Sequence, residues 1–156
     1  MGHLQEIDAL QRWVFEDAGL KSMKLAGAPP TVARPVILWE HPRRGKQRNI
    51  NRYKYTVQVQ QYGKLFANSF DQAGVLEENL LAGIEERYGV LGVFEAVGST
   101  QQIALLKNVT IVFSNSDSLD VPFTVTYEAT YTRKRPVEPP HATRVGNKIT
   151  TPLSDG

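Results

Sequence analysis

The chain has 156 residues, with 18 Lys and Arg against 16 Asp and Glu, three histidines and no cysteine. That length suits one domain with a sizeable core, and a net charge of +2 is too small for a general polycation. The missing thiols exclude a disulfide scaffold, thiolate metal sites and a Cys nucleophile, and they fit a reducing compartment. The opening stretch MGHLQEIDALQRWVFEDAG is acidic and amphipathic, without the basic start and continuous apolar core of a signal peptide. No apolar run approaches the roughly 18 residues of a membrane span, so the expectation is a protein made and used, or assembled, inside a cell.

Leu4, Ile7, Leu10, Trp13 and Val14 recur at helical spacing, with Gln5, Glu6, Asp8, Gln11 and Arg12 between them. They predict an amphipathic helix over residues 3–18, stopped by Gly19. AGAPPTVA (26–33) reads as a connector. A first strand is expected over 34–41, with Pro35, Ile37 and Trp39 on one face and Val36, Leu38 and Glu40 on the other.

Next comes a basic segment, 42–52, which reads as a loop. Arg43, Arg44, Lys46, Arg48 and Arg52 lie in it with no acid between them. A second strand over 52–62 places Tyr53, Tyr55, Val57 and Val59 on one face and Lys54, Thr56, Gln58 and Gln60 on the other. Ser69 with Gln72 reads as a capping box. It opens a helix whose stripe is Leu76, Leu80, Ile84 and Tyr88, with Glu77, Glu78, Glu85 and Glu86 outside it.

Val97–Ser114 predicts a third strand, with Ile103, Leu105, Val109 and Ile111 sharing one parity. SNSDSLD (114–120) is a turn. The fourth strand, 121–132, alternates Val121, Phe123, Val125, Tyr127, Ala129 and Tyr131 against threonines and Glu128. The order α-β-β-α-β-β predicts an α+β fold: two helices packed on an antiparallel sheet of about four strands. Residues 1–135 form this domain. Residues 136–156 contain four prolines and form an extended C-terminal tail.

The sequence carries few patterns that point to chemistry. His3, His41 and His141 are dispersed and read as surface histidines; no HExxH or similar metal spacing occurs. There is no P-loop or Rossmann fingerprint, and Gly89-Val-Leu-Gly92 reads as a turn. Glu77-Glu78 and Glu85-Glu86 are adjacent pairs on a helix, which do not face each other, so a solvated surface is the better reading. No GxSxG elbow surrounds any serine. The expectation is no catalytic residue, no metal and no cofactor. The basic segment stays open between three readings: a solvated loop, a grip on phosphates aided by Tyr53 and Tyr55, and half of a charged protein contact.

Three segments carry a family resemblance: RPVILWE, VQVQQYGKLFA and VPFTVTYEATY. Their order, with the capped helix between the second and third, resembles tail terminator proteins of tailed bacteriophages, over roughly residues 3–136. The resemblance implies a homohexameric ring in the neck of the virion, assembled in the host bacterial cytoplasm. Such a ring caps the tail tube, stops its polymerisation and offers a docking surface to the head–tail connector or stopper protein. Where the tail is contractile it also meets the sheath protein. It implies passage of DNA without specific binding, no membrane and no catalysis. Arg43, Arg44, Lys46, Arg48 and Arg52 are then a candidate partner-facing or lumen-facing loop. A nucleic-acid-binding module using the same loop is the alternative, and a small enzyme of unstated type is a third reading.

Overall fold

The computed structural model describes residues 2–29, 31–96, 98–114 and 118–133, with the strand segments 144–145 and 148–149. The predicted tail lies outside the described residues apart from those two short strands, which pair with each other. Lys134 and Arg135 also lie outside them.

The first helix, α1 (His3–Ala18), ends where Gly19 adopts φ 66°, and the amides of Gly19 and Leu20 turn back to the carbonyls of Phe15 and Val14. A left-handed residue closes a helix cheaply only when it lacks a Cβ. Ile7, Leu10, Trp13 and Val14 are buried as the spacing predicts. Seven strands follow: β1 (Lys21–Lys24), β2 (Val36–Trp39), β3 (Arg43–Asn49), β4 (Lys54–Phe66), β5 (Leu91–Phe94), β6 (Gln102–Phe113) and β7 (Asp120–Thr132). The second helix, α2 (Phe70–Glu86), lies between β4 and β5. Ser69 Oγ accepts from the Gln72 amide at 3.1 Å, and Gln72 reaches back to the Asn68 amide at 2.7 Å, so the predicted cap forms.

The sheet corrects the sequence expectation. It has seven strands in the order β1-β2-β4-β7-β6-β5, with β3 also paired to β4, rather than about four. It is not purely antiparallel, because β1 runs parallel to β2. The class is therefore mixed α/β, and the order α-β-β-α-β-β is replaced. Three short or polar strands escaped the pattern: KSMK, RRGKQRN and LGVF. None shows the hydrophobic alternation that marks a strand in sequence. Their partners hold them in the sheet.

The spine is the pair β4 and β7, in register over thirteen residues from Lys54 opposite Thr132 to Phe66 opposite Asp120. Along one flank of β4, β2 pairs with its C-terminal part and β3 with its N-terminal part. The chain breaks between them at Glu40-His41-Pro42. Gly63 leaves room on β4 for the ring of Phe123, which meets Trp39 edge-on at 5.4 Å; a Cβ there would lie 2.7 Å from that ring. All four residues of β2 are buried, so both faces of the predicted first strand are covered.

In β6 the predicted parity fails for a local reason. The ladder to β7 slips between Lys107 and Thr110, and Asn108 sits at φ 52°. This bulge flips the faces. Leu106, Val109 and Ile111 point inward, while Ile103 and Leu105 are exposed. Tyr88 also leaves its predicted stripe: at φ 56° it lies past the end of α2 and is 92% exposed. The helix α1 touches β1 and β5, the two end strands, and so spans the curled sheet, while α2 packs on α1 and β6.

Candidate functional site

The basic segment is not a loop. Residues 43–49 form β3, with Arg43 opposite Gln60 and Asn49 opposite Tyr55. Among the described residues no strand pairs with the far side of β3. A register slip between Gly45 and Gln47 puts Arg44 and Gln47 opposite the inward Val59 and Val57, and Arg48 opposite Thr56. With the N-terminal part of β4 and the C-terminal part of β7, β3 makes a three-stranded arm.

The five predicted site residues separate at once. Arg44 turns inward and grips Glu6 of α1 with both terminal nitrogens, Nη1 to Oε1 at 3.0 Å and Nη2 to Oε2 at 3.1 Å. Glu6 is fully buried; the Arg44 side chain is 34% exposed. Tyr127 Oη donates to Glu6 Oε1 at 2.8 Å, and Arg44 Nη2 also donates to Tyr131 Oη. Burial alone acts to lower the Arg44 pKa. The hydrogen bond and the Coulomb attraction to Glu6 outweigh it, and the net shift is upward. Tyr127 is pushed well above the ordinary phenol range, first by burial and then by the Glu6 charge and hydrogen bond. A buried carboxylate in the first turn of a helix is also favoured by the dipole of that helix. Arg44 is thus a bolt between arm and body.

Arg48 is 70% exposed and reaches Glu128 only at 3.7 Å. Arg52 lies over its neighbour Tyr53, 5.3 Å from the ring centroid. Arg43 is exposed and forms no ion pair among the described residues. Lys46 has its backbone in β3. The structure therefore gathers Arg43, Arg48 and Arg52 on the arm surface and takes Arg44 out of the group.

Tyr55, already placed beside the basic segment by the sequence, completes the arm together with Tyr131 and Arg133. Tyr55 and Tyr131 stack at 5.8 Å, with the Arg44 guanidinium over Tyr131 and that of Arg133 over Tyr55. Arg133 locks the β3–β4 turn. Its amide donates to Tyr53 O at 2.6 Å, its Nη1 to Asn51 O at 2.7 Å, and its Nη2 to Asn49 Oδ1. Asn51 Oδ1 in turn accepts from the amides of Tyr53 and Lys54, the usual way an Asn holds a turn. A concavity of about 430 Å³ opens on the arm between Arg44, Gln47, Tyr55 and Tyr131.

Glu6 was legible in principle. It stands four residues before Leu10, on the edge of the apolar stripe, where a charge is costly without a partner. The partner, 38 residues on, was not legible.

Two other concavities carry charged or titratable side chains. A cavity of about 470 Å³ lies between α1 and residues 94–98, lined by Asp8, Arg12, Phe15, Glu16 and Phe94. Two of its charges are engaged: Arg12 bonds Glu16 at 3.1 Å and lies 3.9 Å over the Phe94 ring. A second, of about 300 Å³, is lined by His3, Lys24, Trp39, Glu40 and His41. Burial lowers the His3 pKa there, against the opposing pull of Glu6. Among the described residues no three His, Asp or Glu are placed to hold a metal ion, and no helix is long and apolar enough to cross a membrane. No protein-family model and no curated protein sequence matches the chain.

Proposed function

We propose that the protein is a structural ring subunit of a bacteriophage tail: a tail terminator that caps the tail tube at its head-proximal end. The observation that carries the reading is the far edge of β3, a seven-residue basic strand whose outer side pairs with no strand among the described residues. An open edge of that length is a site for contact with another chain, and a cyclic assembly needs such distinct faces on each subunit. The family resemblance supports the same reading, since RPVILWE, VQVQQYGKLFA and VPFTVTYEATY contribute the neighbouring strands β2, β4 and β7. The partners are then other copies of the chain, the tail tube protein and a head–tail connector or stopper, with the sheath protein added in a contractile tail. DNA passes through the ring.

Nucleic-acid binding by the arm draws less support. Arg44 is spent on Glu6, and the exposed cations left among the described side chains are few for a phosphate grip. Negative-stain imaging of the protein, alone and with its tube protein, tests the proposal. Rings, or tubes of uniform length capped at one end, are expected; uncapped tubes of unregulated length overturn it. The alternative predicts DNA binding whose log affinity falls linearly with log salt.

A further inference from the structure

Two surfaces of the molecule are incomplete, and α1 holds them apart. At its N-terminal end Glu6 fixes the arm. At its C-terminal end Asp17 fixes α2 through Arg87, Oδ1 to Nη2 at 2.8 Å and Oδ2 to Nε at 3.0 Å. Glu6 and Asp17 are eleven residues apart, roughly 16 Å along a helix.

The outward face of α2 is acidic and partly apolar. Asp71, Glu78, Glu85 and Glu86 are exposed there, and none of them forms an ion pair among the described residues; Glu77 is half-buried at the edge of the packed stripe. Between and beside them Val75, Leu81 and Tyr88 are exposed by 55%, 46% and 92%. The arm shows the opposite character. Arg43, Arg48 and Arg52 are exposed, and Ile50 and Tyr53 at the turn are half-exposed. Each surface lacks what the other has.

We infer that β3 and the 50–53 turn of one copy lie along the outward face of α2 of a second copy. This deepens the ring reading and rests on it. The lengths agree: seven strand residues extend roughly 23 Å, and seventeen helical residues roughly 25 Å. Arg43, Arg48 and Arg52 meet the unpaired acids, and Ile50 and Tyr53 meet Val75, Leu81 and Tyr88. Because the two surfaces lie at opposite ends of α1, one chain cannot join them internally. The contact is head-to-tail, and it closes into a ring or runs on as a filament. Charge sets its register and apolar burial its strength.

The test uses two charge-reversed full-length chains. One carries Arg43→Glu with Arg52→Glu, so both of its surfaces are acidic. The other carries Glu78→Lys with Glu85→Lys, so both are basic. Neither touches Glu6, Arg44 or Asp17. By sedimentation and negative stain, each chain alone is expected to self-associate at least about tenfold more weakly than wild type. An equimolar mixture restores assembly, because acidic arm meets basic helix and basic arm meets acidic helix alternately around an even-numbered ring. Either chain assembling alone as well as wild type, or a mixture no better than its components, overturns the inference. If each variant caps tubes as wild type does, the contact is wrong and the terminator reading stands. If wild type and mixture form rings but tubes stay uncapped, the contact stands and the terminator reading falls.

Discussion

The two helices carry similar acidic content and use it oppositely. In α1, Glu6 pairs with Arg44 of β3, and Glu16 and Asp17 both pair with Arg87 beyond α2, Glu16 also with Arg12 of the same helix. In α2 no acid does so among the described residues. The first helix is a keystone, with arm, sheet and second helix keyed to its side chains. The second is keyed inward by Ala73, Leu76, Leu80, Gly83 and Ile84 and held by Arg87 just past its end, while Glu78, Glu85 and Glu86 face out. Charge content thus says little about role; the number of partners across the fold distinguishes an internal strut from an external face.

Breaking the keystone gives the largest expected effect. Glu6→Ala leaves Arg44 and the Tyr127 hydroxyl without their acceptor, and breaking a buried pair on one side costs about 3 kcal/mol, read as a fall in the urea midpoint. Replacing both partners at once, Glu6→Leu with Arg44→Met, recovers the part of that loss due to the stranded guanidinium, since apolar groups of similar volume substitute well for a buried pair, while the Tyr127 hydroxyl still lacks its acceptor. A double variant no better than the single one refutes this account of the bolt.

Tyr127→Phe is next, at about 2 kcal/mol for a lost hydrogen bond to a charged group. It has a pH signature as well. The Tyr127 pKa is raised in the folded state. Its contribution is therefore fully present below the unfolded tyrosine value, about 10, and is lost as pH rises above it, because the unfolded chain ionises first. Wild type should lose stability above that pH more steeply than Tyr127→Phe, in paired urea titrations. Parallel slopes would show that the phenol is not held protonated by the fold.

At the other end of α1, Gly83→Ala should cost about 1 kcal/mol. The new Cβ falls 2.0 Å from Asp17 Oδ2, and such crowding costs about 1–3 kcal/mol, offset by about 1 kcal/mol of improved helix propensity. In the Asp17→Ala background the same change should become neutral or stabilising. A cycle with no coupling would show that the clamp does not depend on a bare α2 backbone.

The smallest effect sharpens the contrast. Glu78→Lys with Glu85→Lys should move monomer stability by no more than about 0.5 kcal/mol, as for surface residues without partners. A larger loss in thermal melts would mean that α2 is braced by its charges after all.

Local periodicity was enough to place the elements in which it is strong. Both helices stand close to the predicted bounds. The long alternating strands β4 and β7 are where VQVQ and FTVTY place them, because a half-buried strand must alternate and an amphipathic helix must repeat near 3.6 residues. The other elements depend on contacts between distant parts of the chain. KSMK, RRGKQRN and LGVF are strands because neighbours pair with them, and no local pattern records a neighbour. The faces of β6 were settled by a one-residue bulge, which reverses every later side chain while leaving the apolar count unchanged. The difference between Arg44 and Arg43, adjacent in the chain, was settled by the pleat: one points inward to a buried carboxylate from the first helix, the other outward to solvent. Pairing partners and buried counter-charges are long-range facts, and a local reading of residue types cannot contain them.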